Sequence, residues 1–130
     1  MPIKVYNGSA WVQVSDGIYG TDGNDGGLGS FSVVTKSGNF TLAASDAGKL
    51  LNCTNAGNIT VPHNVFGVGN VITIRTDVER TIISGANTTV KFAGSGLSGN
   101  RTLAVNGLCS IICITDGTQD IFVITGSGLT

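Results

Sequence analysis

Short apolar stretches separated by turn-forming residues recur along most of this 130-residue chain. The pattern is clearest between Phe40 and Pro62, where Ser45-Asp46-Ala47-Gly48 and Thr54 to Gly57 separate three apolar pieces: Phe40 to Ala43, Lys49 to Cys53 and Asn58 to Val61. Turn residues between short β-prone runs are typical of an antiparallel meander. Pro62 cannot donate to a sheet ladder, so the third strand is predicted to end there.

The same pattern continues on both sides of this stretch. Further strands are predicted at Phe31 to Thr35, Val71 to Thr76, Arg80 to Ser84, Thr88 to Phe92, Thr102 to Val105, Gly107 to Thr115 and Asp120 to Thr125. Roughly ten short strands at spacings of about 8–12 residues predict an all-β fold, an antiparallel β-sandwich or jelly-roll-like domain. Because the stretch from Gly107 to Thr115 is apolar on both faces, it is expected to be a central, fully covered strand.

A separate small hairpin is predicted at the N-terminus. The runs Ile3 to Tyr6 and Ala10 to Val14 are joined through Asn7-Gly8-Ser9, and Asn-Gly is a strong hairpin signal because both residues tolerate positive φ. A two-stranded hairpin is marginal alone, so we expect it to pack on something else, with Trp11 as its anchor.

The Gly-rich stretch from Asp16 to Ser30 is either a flexible linker or an ordered irregular arm. Asp22, Asn24 and Asp25 resemble part of a calcium loop, but the acidic spacing and the closing Glu are absent. No Gly-Lys-Ser/Thr or dinucleotide fingerprint accompanies the glycines. The predicted organisation is therefore an extended N-terminal arm, 1–30, followed by a β-sandwich body, 31–130.

The composition adds that the chain is poor in charged residues. Charged residues make up 12% of the chain and hydrophobic residues 41%, whereas soluble domains are usually about 25% charged. Either part of the surface is buried in an assembly, or Ser, Thr, Asn and Gly form an uncharged coat. The net charge is −1 without a basic cluster, which argues against nucleic-acid binding. No apolar run is long enough to span a bilayer, and the first residues lack the apolar segment of a signal peptide.

Candidate catalytic chemistry is sparse. His63 is the only histidine and has no acidic residue near it in sequence, and no carboxylate pair of the glycosidase kind is visible. The chain has three cysteines; Cys109 and Cys113 lie about 13 Å apart along one predicted strand, too far for a disulfide. Buried, reduced thiols are the simpler interpretation. We therefore expect no enzymatic activity, no cofactor and no metal site.

Several of these pieces, in this order, resemble a small β-domain that recurs in virion proteins of tailed bacteriophages. They are Phe-Thr-Leu at 40–42, Asp46-Ala47-Gly48-Lys49-Leu50, Ile59-Thr60-Val61-Pro62, Gly69-Asn70-Val71-Ile72-Thr73-Ile74, Thr81-Ile82-Ile83-Ser84-Gly85-Ala86 and the late Asp-Gly-x-x-Asp-Ile-Phe-Val-Ile-x-Gly. The opening Val5-Tyr6-Asn7-Gly8-Ser9-x-Trp11-Val12-x-Val14 is similar to an N-terminal module of phage structural proteins.

The resemblance implies a homotrimeric, non-enzymatic protein on the virion exterior, assembled in the host cytoplasm. Without shaft repeats or coiled-coil heptads, the chain looks more like a head decoration (cement) protein than a long fibre. A tail-fibre or tail-tip adhesin and a cellular lectin-like domain are the alternatives. The expected partners are sister subunits and the major capsid protein or tail proteins. The candidate anchors in the arm are Tyr6, Trp11, Val12, Val14, Ile18 and Tyr19.

Overall fold

The structure, a computed structural model, describes residues 4–6, 11–13 and 31–130. The chain divides into two units, Met1–Phe31 and Ser32–Thr130. In the first unit, strands β1 (Lys4–Tyr6) and β2 (Trp11–Gln13) pair antiparallel, with Tyr6 opposite Trp11. This confirms the predicted pairing of the two N-terminal runs. The predicted Asn7-Gly8-Ser9 turn lies outside the described residues.

The second unit is built from strands, and its one short helical element is a 3₁₀ turn at Ala44–Asp46. The strands are β3 (Val33–Lys36), β4 (Phe40–Thr41), β5 (Leu50–Cys53), β6 (Asn58–Val61), β7 (Val71–Thr76), β8 (Arg80–Ser84), β9 (Thr88–Phe92), β10 (Arg101–Thr115) and β11 (Asp120–Leu129). The all-β prediction is confirmed, and most strand positions agree with the alternating pattern. The two strands predicted between residues 102 and 115 form one strand, β10.

From β3 to β8, consecutive strands alternate between two parallel ladders. β3, β5 and β7 form one ladder, with Val33 beside Leu50 and Leu50 beside Thr73. β4, β6 and β8 form the other, with Phe40 beside Ile59 and Ile59 beside Ile82. Each coil of the chain therefore adds one strand to each ladder, which is the winding of a parallel β-solenoid. The antiparallel meander predicted for 40–62 is wrong, because strands that follow each other in sequence belong to different ladders.

Strand β10 joins the two ladders. Its first part pairs antiparallel with β8, through Arg101 to Leu103, and its second part pairs antiparallel with β7, through Leu108 to Ile112. β11 pairs antiparallel with β10 and parallel with β9. The sheet is consequently nearly closed and barrel-like. The expectation that residues 107–115 form a central strand is confirmed, but full coverage is wrong, because Leu108 and Ile114 are each 48% exposed.

The space between the ladders is filled almost entirely by aliphatic side chains. One aromatic pair, Phe66 and Phe122, meets edge to face with ring centroids 6.2 Å apart. The other fully buried apolar side chains come from both ladders and from β9 to β11: Leu51, Cys53, Ile59, Val61, Ile72, Ile74, Ile82, Val90, Leu103, Ile111 and Ile124. Inward positions at period two on every strand explain why the sequence alternates.

A buried arginine ties the coils together at one corner. Arg80 is 1% exposed. Its Nη1 donates to the Gly38 carbonyl at 2.8 Å, and its Nη2 donates to the Asn55 carbonyl. The guanidinium carbon also lies 5.6 Å from the ring centroid of Phe40. Gly38, Asn55 and Arg80 belong to three successive coils, so one side chain links three layers of the stack.

Candidate functional site

The outer surface of the β4–β6–β8 ladder is polar. Burial alternates along β6 and β8, so that every second side chain points away from the core. These outward positions, together with those of β4 and the first part of β10, are Thr41, Asn58, Thr60, Thr81, Ile83 and Thr102. We call this surface the threonine face. It matches the uncharged polar coat that the composition allowed as one interpretation, with Ile83 as the aliphatic member of the set.

The outer surface of the other ladder, continued by β10 and β11, is aliphatic. Val71 lies opposite Ile112, and Ile112 lies opposite Val123, which places three branched side chains in one row. We call this surface the apolar face. Its aliphatic members are Val33, Leu50, Val71, Leu108, Ile112, Ile114, Ile121 and Val123. Val33 is 59% exposed and Val71 36%, whereas Leu50, Ile112, Ile121 and Val123 are partly buried by their neighbours.

The charge on the apolar face is small and largely neutralised. Arg75 donates to Asn52 at 3.1 Å and to Asn106 at 2.6 Å, and it forms an ion pair with Asp77. Lys91 lies on β9 at the margin, in register with Val123. Between these margins the outward positions carry Thr, Ser and Asn beside the aliphatic side chains. The face therefore offers dispersion contacts and neutral hydrogen-bonding groups, with no charge pattern for an ionic ligand.

His63 has an acidic neighbour that sequence spacing did not reveal. The His63 Nε2 lies 3.7 Å from an Asp120 carboxylate oxygen and donates to the Gly117 carbonyl at 2.8 Å. The buried Asp120 carboxylate accepts the backbone N–H groups of Asn64, at 2.9 Å, and Gly117, at 3.1 Å. No acidic residue lies near His63 in the sequence, but the fold places Asp120 beside it. His63 and Asp120 join the loops that contain Asn64 and Gly117 through hydrogen bonds to backbone atoms. The cluster contains no nucleophilic side chain.

All three cysteines are free and buried, which confirms the interpretation of Cys109 and Cys113. Burial raises the pKa of the Cys109 thiol to about 12. Burial is also the first cause of the raised pKa of Cys53 and of Cys113. Because a reactive cysteine needs a thiolate near neutral pH, these side chains act as small apolar core residues.

Other classes of site find no support within residues 31–130 and the two short N-terminal strands. No group of three His, Cys, Asp or Glu side chains among these residues is arranged to hold a metal ion. A search of the same residues finds no helix of the length and hydropathy that crossing a membrane requires. The apolar face is therefore the strongest candidate for a functional surface in the described part of the chain.

The predicted arm anchors are only partly within the described residues. Tyr6 and Trp11 occupy opposing register positions of the β1–β2 pair, and Val12 pairs with Val5. Val14, Ile18 and Tyr19 lie outside the described residues, as does the predicted linker Asp16 to Ser30. The backbone pairing brings Tyr6 and Trp11 to adjacent strands, whereas the remaining anchor assignments stay predictions.

The sequence was also compared with known proteins. No protein-family model matches this chain, and no curated protein matches it.

Proposed function

We propose that this chain is a non-enzymatic structural subunit of a tailed-bacteriophage particle, a capsid decoration protein that lies on the exterior and attaches through its N-terminal arm. The observation that carries the proposal is the apolar face on a β-solenoid body. Within the described residues this face is the most distinctive surface, and it has the chemistry of an assembly contact. The sequence resemblance supplies the virion context.

An assembly role accounts for the low charge of the chain. A near-neutral protein with positive mean hydropathy is poorly protected from association. The largest exposed apolar patch on a protein, typically about 300–600 Å², is often functional. In a decorated particle such a patch is covered, so its cost in solubility is removed by assembly.

The second candidate is a tail-fibre or tail-tip adhesin that binds a receptor on the host surface. The parallel winding favours it, because stacked coils build elongated appendages readily. The long loop Ala93 to Asn100 argues against it, since that loop contains no aromatic residue for receptor binding.

Deleting Met1 to Gly29 is expected to leave a folded body that no longer binds the particle. The physical reason is that the arm carries the only Trp and two Tyr, side chains that supply contact area at low entropic cost. Trp11→Ala in the full chain is expected to weaken attachment by more than about 1 kcal/mol. Particles stripped of the protein are incubated with each variant, and occupancy is measured by sedimentation and gel densitometry.

Val5→Ala serves as the control within the same strand pair, because it removes a smaller, non-aromatic side chain. If the truncated protein fully reoccupies stripped particles, attachment belongs to the body and the arm assignment is wrong.

A further inference from the structure

We propose that the apolar face is the surface through which copies of this chain associate with one another. The inference rests on the proposed function, because it assigns the self-association of a virion subunit to a particular side of the body. The occupant of the face is a second copy of the same chain.

The two outer surfaces of the body differ in chemistry. On the threonine face, outward positions such as Asn58, Thr81 and Thr102 present hydrogen-bonding groups to water. On the apolar face, the row of Val71, Ile112 and Val123 is aliphatic from strand to strand. Both surfaces belong to the same β-rich composition, so strand propensity does not explain the difference. A partner that covers the apolar face and leaves the threonine face in water does explain the difference.

The charge of the apolar face favours an identical partner. Among the residues that the structure describes, the charged groups on this face are Arg75, which is paired with Asp77, and Lys91 at the margin. A partner with a charged surface would find nothing complementary there, and its own charges would be desolvated without compensation. Two identical faces place neutral rows against neutral rows. Symmetric association of like with like is also the commonest form of soluble assembly.

The apolar face is also large enough to take part in a contact. Its five strands, about 4.8 Å apart and about five residues long, form a face of roughly 400 Å² in projection. This is the size of the largest apolar patch on many proteins, a patch that is often functional, and it is about half of the roughly 800 Å² per partner of a standard interface. The loop before β7 lies next to the face, because the Gly69 N–H donates to the Cys113 carbonyl of β10 at 2.8 Å, and this loop carries a further exposed apolar residue, Val68.

The decisive variant places two lysines on the apolar face, Val71→Lys and Ile114→Lys, at positions that are 36% and 48% exposed and so tolerate a long side chain in the monomer. Its matched control places two lysines on the threonine face, Thr41→Lys and Thr81→Lys. Molar masses of the full-length proteins are measured by sedimentation equilibrium over a range of concentrations, and folding is checked by circular dichroism.

We expect the wild type and the threonine-face control to sediment as the same multiple of the 13.2 kDa chain. The apolar-face variant is expected to sediment as a monomer with an unchanged β spectrum. A wild type that is monomeric at every concentration overturns the proposal, and so does an apolar-face variant that keeps the wild-type mass.

A second measurement identifies what covers the face. Leu108→Cys and, as control, Thr41→Cys introduce one exposed thiol each, while the native cysteines stay buried. Alkylation of Leu108→Cys is expected to slow by about tenfold when only about a tenth of the chains are monomeric, and to match the control rate after dilution to monomer. Protection that persists in the monomer would mean that residues of the same chain cover the face, which also overturns the proposal.

Failure of this inference and failure of the proposed function are distinguishable. A virion subunit that associates through another surface keeps its oligomeric mass in the apolar-face variant and still reoccupies stripped particles. A protein that is not a virion component does not bind particles, whatever its mass in solution.

Discussion

Replacing Arg80 with methionine is expected to lower the free energy of unfolding by about 2–4 kcal/mol. The side chain is 1% exposed, and its guanidinium donates to the carbonyls of Gly38 and Asn55. Methionine fills most of the volume but leaves both carbonyls without this donor, and a buried acceptor left unpaired costs about 1–3 kcal/mol. No carboxylate of the described residues forms an ion pair with Arg80, so the loss falls on the coil-to-coil bonds.

Arg101→Met is the matched control. Arg101 also stacks on an aromatic ring, with its guanidinium 5.4 Å from the centroid of Phe92, but it is partly exposed and donates only to its neighbour Asn100. Its replacement is expected to cost less than about 1 kcal/mol. Urea unfolding followed by circular dichroism gives both values. Equal losses for the two variants would mean that Arg80 does not bridge the coils.

Gly57→Ala is expected to destabilise the body by about 2–3 kcal/mol. A Cβ at this position would overlap the backbone of the preceding coil: it would lie 2.7 Å from the Asn39 nitrogen and closer still to the carbonyl group of Gly38. Backbone cannot move aside as a side chain does, and the Gly38 carbonyl is also the acceptor for Arg80. The two coils must therefore separate at this corner to admit a methyl group.

Gly67→Ala provides the comparison. An added Cβ at Gly67 meets nothing within 4 Å, and the backbone there does not require positive φ. Its stability is expected to stay within about 1 kcal/mol of the wild type, because restricting the unfolded chain has only a small effect. Thermal unfolding of the two alanine variants, each against the wild type, is the measurement. A Gly57→Ala protein as stable as Gly67→Ala would contradict the close stacking of the coils.

The sequence predicted where strands lie better than how they pair. The alternation of apolar and polar residues predicted β6 to β8, because inward positions recur at period two along a strand. It did not predict their pairing, because turn residues separate strands in hairpins and in solenoid coils alike. The partner of Leu50 on one side is Val33, 17 residues earlier, and on the other Thr73, 23 residues later. Since the coils differ in length, no fixed repeat appears in the sequence, and hairpin pairing was the default expectation.

The apolar face was also hidden in the sequence. Leu108, Ile112 and Ile114 made residues 107–115 look buried on both sides, whereas one side of this strand is open in the single chain. The sequence shows that a position is apolar, but it does not show whether that residue is covered by another layer of the same fold or by a partner. The contact between His63 and Asp120 was missed for a simpler reason: 57 residues separate them, and only the fold brings their loops together.

The copy number of this chain in purified particles directly tests the proposal that it is a virion structural subunit. Gel densitometry against the major capsid protein, with the band identified by peptide mass, gives that number. We expect hundreds of copies per particle, as for a protein that decorates the capsid, whereas a few to tens of copies would support the tail-fibre alternative. If the protein is absent from purified particles, it is not a virion subunit.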